Sequence, residues 1–252
     1  MEGEGGGGLA AWALISGYGS RDAIGVNTHV TVLSLPDYKL TSPGITVGLF
    51  DRLELSYAWQ AFDTGATGAA LGVGYGFTFH QNIYSAKLKL TGDAVYDQDS
   101  WLPQIAFGIQ HKENDRGAVI AAVGGKGSVG TDFYLAATKL FLAQSLLVNA
   151  TVRETKANQF GLLGFGGDKH NAYSTQFEGS AAYLFSRNFA IGADVRTKPS
   201  NLGIAHEGSA YDIFAAWFLN KNFSATLAYA DLGNIAIHNH QGGFYVSLQA
   251  GF

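Results

Sequence analysis

Two sets of ionisable side chains recur on the polar side of alternating stretches. They are Lys87, Lys89, Lys112, Arg153, Arg196 and Lys198, set against Glu54, Glu178, Asp194 and Asp212. Charged groups facing one another at a constriction sort ions, and a water-filled path lined by Lys87, Lys89, Arg153 and Arg196 would favour anions. The same groups can instead neutralise one another as internal ion pairs in a plugged barrel, and a barrel of twelve to fourteen strands has room for either. Both outcomes stay open at this point.

Other clusters carry weaker signals. Asp93, Asp97 and Asp99 lie in one short segment and are hard oxygen ligands of the kind Ca²⁺ takes, but the spaced loop with its Gly and terminal Glu is missing. A backbone-capping role in turns is the simpler account. His238 and His240, with His206 and Glu207 on another loop, could hold Zn²⁺ or Cu²⁺ if the loops met. No spacing enforces that meeting, so solvated loop histidines are expected and no metal or other cofactor is assigned. There is no G-x-S-x-G, and no Ser is tied by local pattern to a His and a carboxylate, so no catalytic residue is assigned and an enzyme is not expected. The Gly-rich runs 72–76 and 164–167 precede no Lys-Ser/Thr and open no βαβ unit, which argues against phosphate loops.

The elements that must position these groups read as strands. Of 252 residues, 47% are hydrophobic and only 14% charged, with 34 Gly and no Cys. So few charges and so many Gly and aromatics suit a sheet whose outer face meets lipid. A net charge of −4 gives nucleic acid no electrostatic footing. Absence of Cys removes disulfides and thiolate chemistry. No stretch is apolar for the roughly 18 residues a spanning helix needs; in 133–150, Thr138, Lys139, Gln144, Ser145 and Asn149 intervene. A chain of this character living in lipid must close a sheet on itself so that every backbone N–H and C=O is paired.

Period-two alternation supports that closure. Phe244, Val246, Leu248, Ala250 and Phe252 oppose Tyr245, Ser247, Gln249 and Gly251; Leu146, Val148, Ala150 and Val152 oppose Leu147, Asn149, Thr151 and Arg153. The same holds over 53–60, 84–91, 173–185 and 189–196. Segments of about ten residues cross hydrocarbon when tilted. Tyr18, Tyr57, Trp59, Tyr183, Phe185, Trp217, Phe218 and Tyr229 sit near segment ends, where interfacial girdles belong, and the last strand ends on Phe252. Short turns at 51–52, 142–144, 186–188 and 220–222, with a longer one at 95–100, alternate with long connections at 63–74, 113–130, 157–171, 199–208 and 232–242. That is the periplasmic-turn, extracellular-loop pattern of an antiparallel transmembrane β-barrel. A soluble sandwich, the alternative fold, has no reason to sort its loops so.

About thirteen strand-like segments follow Ala10, whereas such barrels have even strand numbers. A further strand would then lie upstream, or the first segment is not in the wall, giving twelve. The start MEGEGGGG has no basic or apolar signal region, so a secretion signal is expected to precede it. The chain divides into a flexible Gly-rich segment, 1–9, and one β-barrel domain, 10–252.

The runs WALISGYGSRD (12–22), GDAVYDQDSWLPQI (92–105), YLAATKLFLAQS (134–145), GLLGFGGD (161–168), KPSNLG (198–203) and SLQAGF (247–252) resemble an uncharacterised proteobacterial outer-membrane β-barrel family, the domain of unknown function 3034 family. The resemblance covers nearly the whole chain. It implies location and fold and assigns no activity.

The resulting expectation is a porin-like or transport-assisting outer-membrane barrel for small solutes. The connections 113–130 and 157–171, more apolar than solvated loops, would fold in to narrow it. The alternative is a closed structural or interaction barrel whose charges pair internally and whose loops hold a cell-envelope protein partner. Outer-membrane lipid is the partner common to both, and oligomeric state is left open.

Overall fold

The computed structural model describes residues 1–17 and 21–252, so the expectation on Tyr18 lies outside the described residues. Twelve strands close into a barrel in which each strand pairs antiparallel with its sequence neighbours and the first pairs with the last. They are β1 (Ile24–Ser34), β2 (Lys39–Leu49), β3 (Leu53–Asp63), β4 (Thr78–Thr91), β5 (Gln104–Asn114) and β6 (Val129–Phe141), then β7 (Leu146–Thr155), β8 (Ser174–Ser186), β9 (Phe189–Arg196), β10 (Ala210–Phe218), β11 (Phe223–Asp231) and β12 (Gly242–Gly251). No helix is long and apolar enough to cross a membrane among the described residues. The crossing is made by strands, and closure leaves no sheet edge unpaired.

Burial follows the alternation and turns a soluble protein inside out. Along β7, Asn149, Thr151 and Arg153 are buried while Val148 and Val152 are exposed. Phe177, Ile213, Leu227, Phe244 and Leu248 point outward with more than half their surface free. Such a face is costly in water and natural in hydrocarbon. Aromatics close the band at both rims: Phe185, Trp217, Phe223 and Phe252 at one end, Trp59, Tyr173, Tyr211 and Tyr229 at the other.

The loops sort by end as expected, the longer 92–103 connection at the short-turn end included, with one exception: the β1–β2 link, 35–38, is tight yet lies at the long-loop end. Of the thirteen strand-like segments, the first is not in the wall. Residues 1–16 lie in the lumen instead, because Gly-rich backbone with few side chains fits a space that wall strands have already enclosed. Two short helices, α1 (Gly65–Ala70) and α2 (Gly117–Ala122), sit in the long loops.

One glycine shows how tightly the inner wall is fitted. A Cβ on Gly108 would lie 2.0 Å from Cζ of Tyr134 on the adjoining strand. The Tyr134 ring in turn carries the Arg153 guanidinium 4.8 Å from its centroid. Gly108→Val is expected to displace that ring and destabilise the barrel by about 1–3 kcal/mol, read as a lowered unfolding temperature in detergent. An unchanged temperature would show that the Tyr134 position is slack.

Candidate functional site

The lumen is where the chain concentrates its polar chemistry, and it is filled. Twelve strands enclose more space than their own side chains occupy. Two inserted stretches take up much of it: residues 1–16, and the re-entrant tip of the β7–β8 loop around 157–166. Both are held mainly by polar wall side chains.

Segment 1–16 offers its backbone to the wall. Glu54 accepts from the N–H groups of Gly5 (3.0 Å) and Ser16 (2.8 Å), Glu178 from that of Ala11 (2.8 Å), and Asp194 from that of Leu9 (3.1 Å). Thr46 and Thr151 donate to the carbonyls of Gly3 and Ala11. Glycine lets the segment approach Asp194 closely: a Cβ on Gly7 would lie 2.3 Å from its Oδ2 and push that carboxylate aside. Two acidic residues of this segment reach the cations. Glu2 pairs with Lys112 and, at 2.5 Å, with Arg196; Glu4 lies 3.4 Å from Arg153.

The 157–166 tip closes the long-loop end. Gln159 and Phe160 adopt φ of 45° and 60°, a left-handed backbone that costs about 1–3 kcal/mol per residue and persists only where surroundings impose it. The surroundings are explicit. Lys112 and Gln81 donate to the Phe160 carbonyl at 3.2 and 3.3 Å, and Lys198 donates to Oε1 of Gln159 at 2.6 Å. The Phe160 ring lies under the Arg196 guanidinium at 4.6 Å. Helix α2 braces this tip from the neighbouring loop: Ile120 is buried, and Gly127 and Phe165 exchange backbone hydrogen bonds of 3.1 and 2.8 Å. Above these, Leu33, Leu40, Phe62, Phe79, Leu202 and Ile235 form a buried apolar cluster with Leu9.

All of the sequence-selected charges are buried, and the structure gathers most of them. Lys112, Arg153, Glu178 and Arg196 form one network. Arg153 binds Glu178 through Nε and donates to Gln110 at 2.6 Å, and Arg196 Nε lies 3.3 Å from Glu178. Lys87 pairs with Glu54 at 2.9 Å beside it. Lys89 stands apart at the short-turn rim with Asp51 (2.6 Å) and Asp93 (3.4 Å). Asp194 and Asp212 face each other across β9 and β10, and neither has an ion-pair partner among the described residues. Lys198 meets Glu207 at 2.8 Å at the loop end. Burial pushes Lys198 down and Glu207 up, and the pairing opposes both shifts.

Sequence reading missed Asp132, which lies 2.9 Å from Lys112 and 3.8 Å from Arg153, and missed Glu2 and Glu4. The available signal was alternation: Asp132 shares the inner face of β6 with Tyr134 and Thr138, and Glu2 and Glu4 are two apart. The two histidine-bearing loops meet through Asn234, which donates to the His206 carbonyl and accepts from the His240 N–H. His238 contacts Asp37 (3.4 Å) and Thr67 (3.0 Å). Among the described residues no His, Cys, Asp and Glu group is arranged to hold a metal ion.

Asp93 acts in a turn. It accepts from the N–H groups of Val95 (2.9 Å) and Tyr96 (2.8 Å). Burial alone would raise its carboxyl, but those N–H groups and the Lys89 ammonium outweigh it and hold it below the usual carboxylate range. A depressed pKa means stabilisation that is present above the ordinary carboxylate pKa and lost as pH falls through the depressed value. The 92–103 connection is therefore expected to keep its amide protection at neutral pH and lose it in strong acid. Asp93→Asn should mimic that loss at pH 7, read by hydrogen exchange at Val95 and Tyr96; equal protection in both proteins would contradict it.

An antiparallel barrel closed by its first and last strands, apolar outside and polar within, is a transmembrane β-barrel of the porin type. The chain belongs to the family described as Protein of unknown function (DUF3034), whose profile matches residues 1–249. Solved structures of similar fold include the KdgM porin, with TM-score 0.56 and 11% identity over 90% of this chain and 99% of that one. The COG4313 outer membrane channel from Pseudomonas putida F1 gives 0.53 and 12% over 93% and 98%, and the NanC porin 0.52 and 10% over 91% and 99%. At such identities the likeness establishes fold alone. No curated protein sequence matches the chain.

Proposed function

We propose that this chain is a porin-like channel of the Gram-negative outer membrane, held closed by its two inserted segments and passing small solutes when they withdraw. The observation that carries this reading is the way the segments are held. Residues 1–16 are bound largely through backbone hydrogen bonds and ion pairs to wall side chains, contacts that water can replace as the segment leaves. The barrel wall is complete without them. Barrels of similar fold include a porin and an outer membrane channel, which is consistent with this reading. No reacting group is assigned, and the reading is non-enzymatic.

The KdgM porin has been solved in complex with oligogalacturonate, an acidic sugar chain. That solute does not carry over, because here the cations of the lumen already have carboxylate partners. The same pairing favours a second reading, a permanently closed barrel serving a cell-envelope assembly. Planar-bilayer recording separates the two. The channel reading expects long closures with discrete openings in the unaltered protein, and sustained conductance once residues 2–12 and the 158–165 tip are both deleted. Silence from both correctly inserted proteins would establish the closed barrel instead.

A further inference from the structure

The charge in the lumen is confined to one side. Wall strands β3 to β10 carry its acidic and basic side chains, while the inward positions of β11, β12, β1 and β2 are uncharged. Between that uncharged wall and segment 1–16 lies a cavity of about 400 Å³. A volume of this order suits a small molecule. It runs toward the short-turn end, because Gly17, Asn27 and Gln249 also border a second cavity of about 290 Å³ beside Asn220, Asn222 and Phe252. The apolar cluster containing Leu9, Leu33, Phe214 and Tyr245 shuts its other end.

Its lining has one chemical character. Asn27, His29, Thr226 and Gln249 present amide, imidazole and hydroxyl groups, each able to donate and to accept. Phe214 and Tyr245 add aromatic surface. Nε2 of His29 packs beside Gly44 on β2 with no hydrogen-bond partner among the described residues, so the ring that borders the cavity carries an unmet polar group. Glu4 is the one acidic side chain at the cavity, and it lies beside Arg153. The Met1 ammonium, which also borders the cavity, donates to the carbonyl of Gly8 at 3.3 Å, and no side chain there, among the described residues, offers a ligand an unpaired opposite charge. A ligand rich in hydroxyls, each both donor and acceptor, with apolar C–H faces for the rings, would be matched.

We propose that this cavity is a binding site for small neutral polyhydroxylated molecules of one or two sugar rings, entered from the short-turn end. The proposal rests on the channel reading for the onward route of the solute, but binding itself requires no conductance, so the two fail separately. Sucrose, glucuronate and glucosamine serve as probes in isothermal titration of the whole barrel in a sugar-free detergent. Saturable sucrose binding is expected at roughly millimolar concentration, with glucuronate and glucosamine weaker by about tenfold or more. His29→Ala and Thr226→Val should each weaken sucrose at least about fivefold while heat-modifiable gel mobility shows an intact barrel. Lys89→Gln, on the charged wall, should leave binding unchanged. Absence of saturable sucrose binding to folded protein, equal binding of glucuronate, or loss of affinity in Lys89→Gln but not in the cavity variants would each overturn the proposal.

Discussion

Replacing Arg153 by methionine is expected to destabilise the barrel by about 3–5 kcal/mol, the usual cost of removing one member of a buried ionic network. Arg153 is fully buried and touches Glu178, Glu4, Gln110 and Asp132, with Tyr134 beneath it. Methionine fills most of the volume, so little of the loss comes from a cavity. What remains is a set of carboxylates facing one another without their central cation, in surroundings of low effective dielectric. Their repulsion should also loosen Glu4 and with it segment 1–16. Urea unfolding of detergent-solubilised protein, followed by gel mobility, reads the effect. A shift below about 1 kcal/mol would mean that water already reaches and screens the network.

Reversing the charges of Glu2 and Glu4 should have the largest effect on function. Glu2 contacts Lys112 and Arg196, and Glu4 lies beside Arg153. In Glu2→Lys/Glu4→Lys each contact becomes a repulsion between like charges buried inside the wall, while the strands and their register are untouched. The open fraction in planar bilayers is expected to rise about 100-fold, equivalent to about 2.8 kcal/mol at 1.4 kcal/mol per tenfold. The neutral pair Glu2→Gln/Glu4→Gln should fall between this variant and the unaltered protein. If both variants gate like the unaltered protein, ion pairs do not retain the segment.

Much of this architecture was legible because a strand has a strict period of two. Asn149, Thr151 and Arg153 against Val148 and Val152 announce two faces before any pairing is known, and the lengths of the connections assign the ends. The apolar character of Ile120, Leu162 and Leu163 marked their loops as inward-folding, and all three are buried. What stayed hidden depends on register and on closure. That Asp194 faces Asp212, or that Asp132 stands between Lys112 and Arg153, follows from how β5 to β10 slide against one another. The first segment looked like wall because Trp12, Leu14 and Ile15 are apolar, yet its Gly-rich approach suits it to a confined lumen. The uncharged cavity wall needs the closing pair β1 and β12 to bring Asn27, His29 and Gln249 together. No local pattern encodes that.

A lumen filled on its charged side and open on its uncharged side should differ in thiol accessibility between the two sides. The chain contains no Cys, so single introduced thiols report without background. Thr151→Cys places one under the carbonyl of Ala11, and Gln249→Cys places one at the cavity. With a small neutral maleimide, the thiol at 249 is expected to react rapidly. The thiol at 151 should stay protected until residues 2–12 are deleted, and then react at a comparable rate. Rapid labelling at 151 in the undeleted protein would contradict the account, and so would protection at 249.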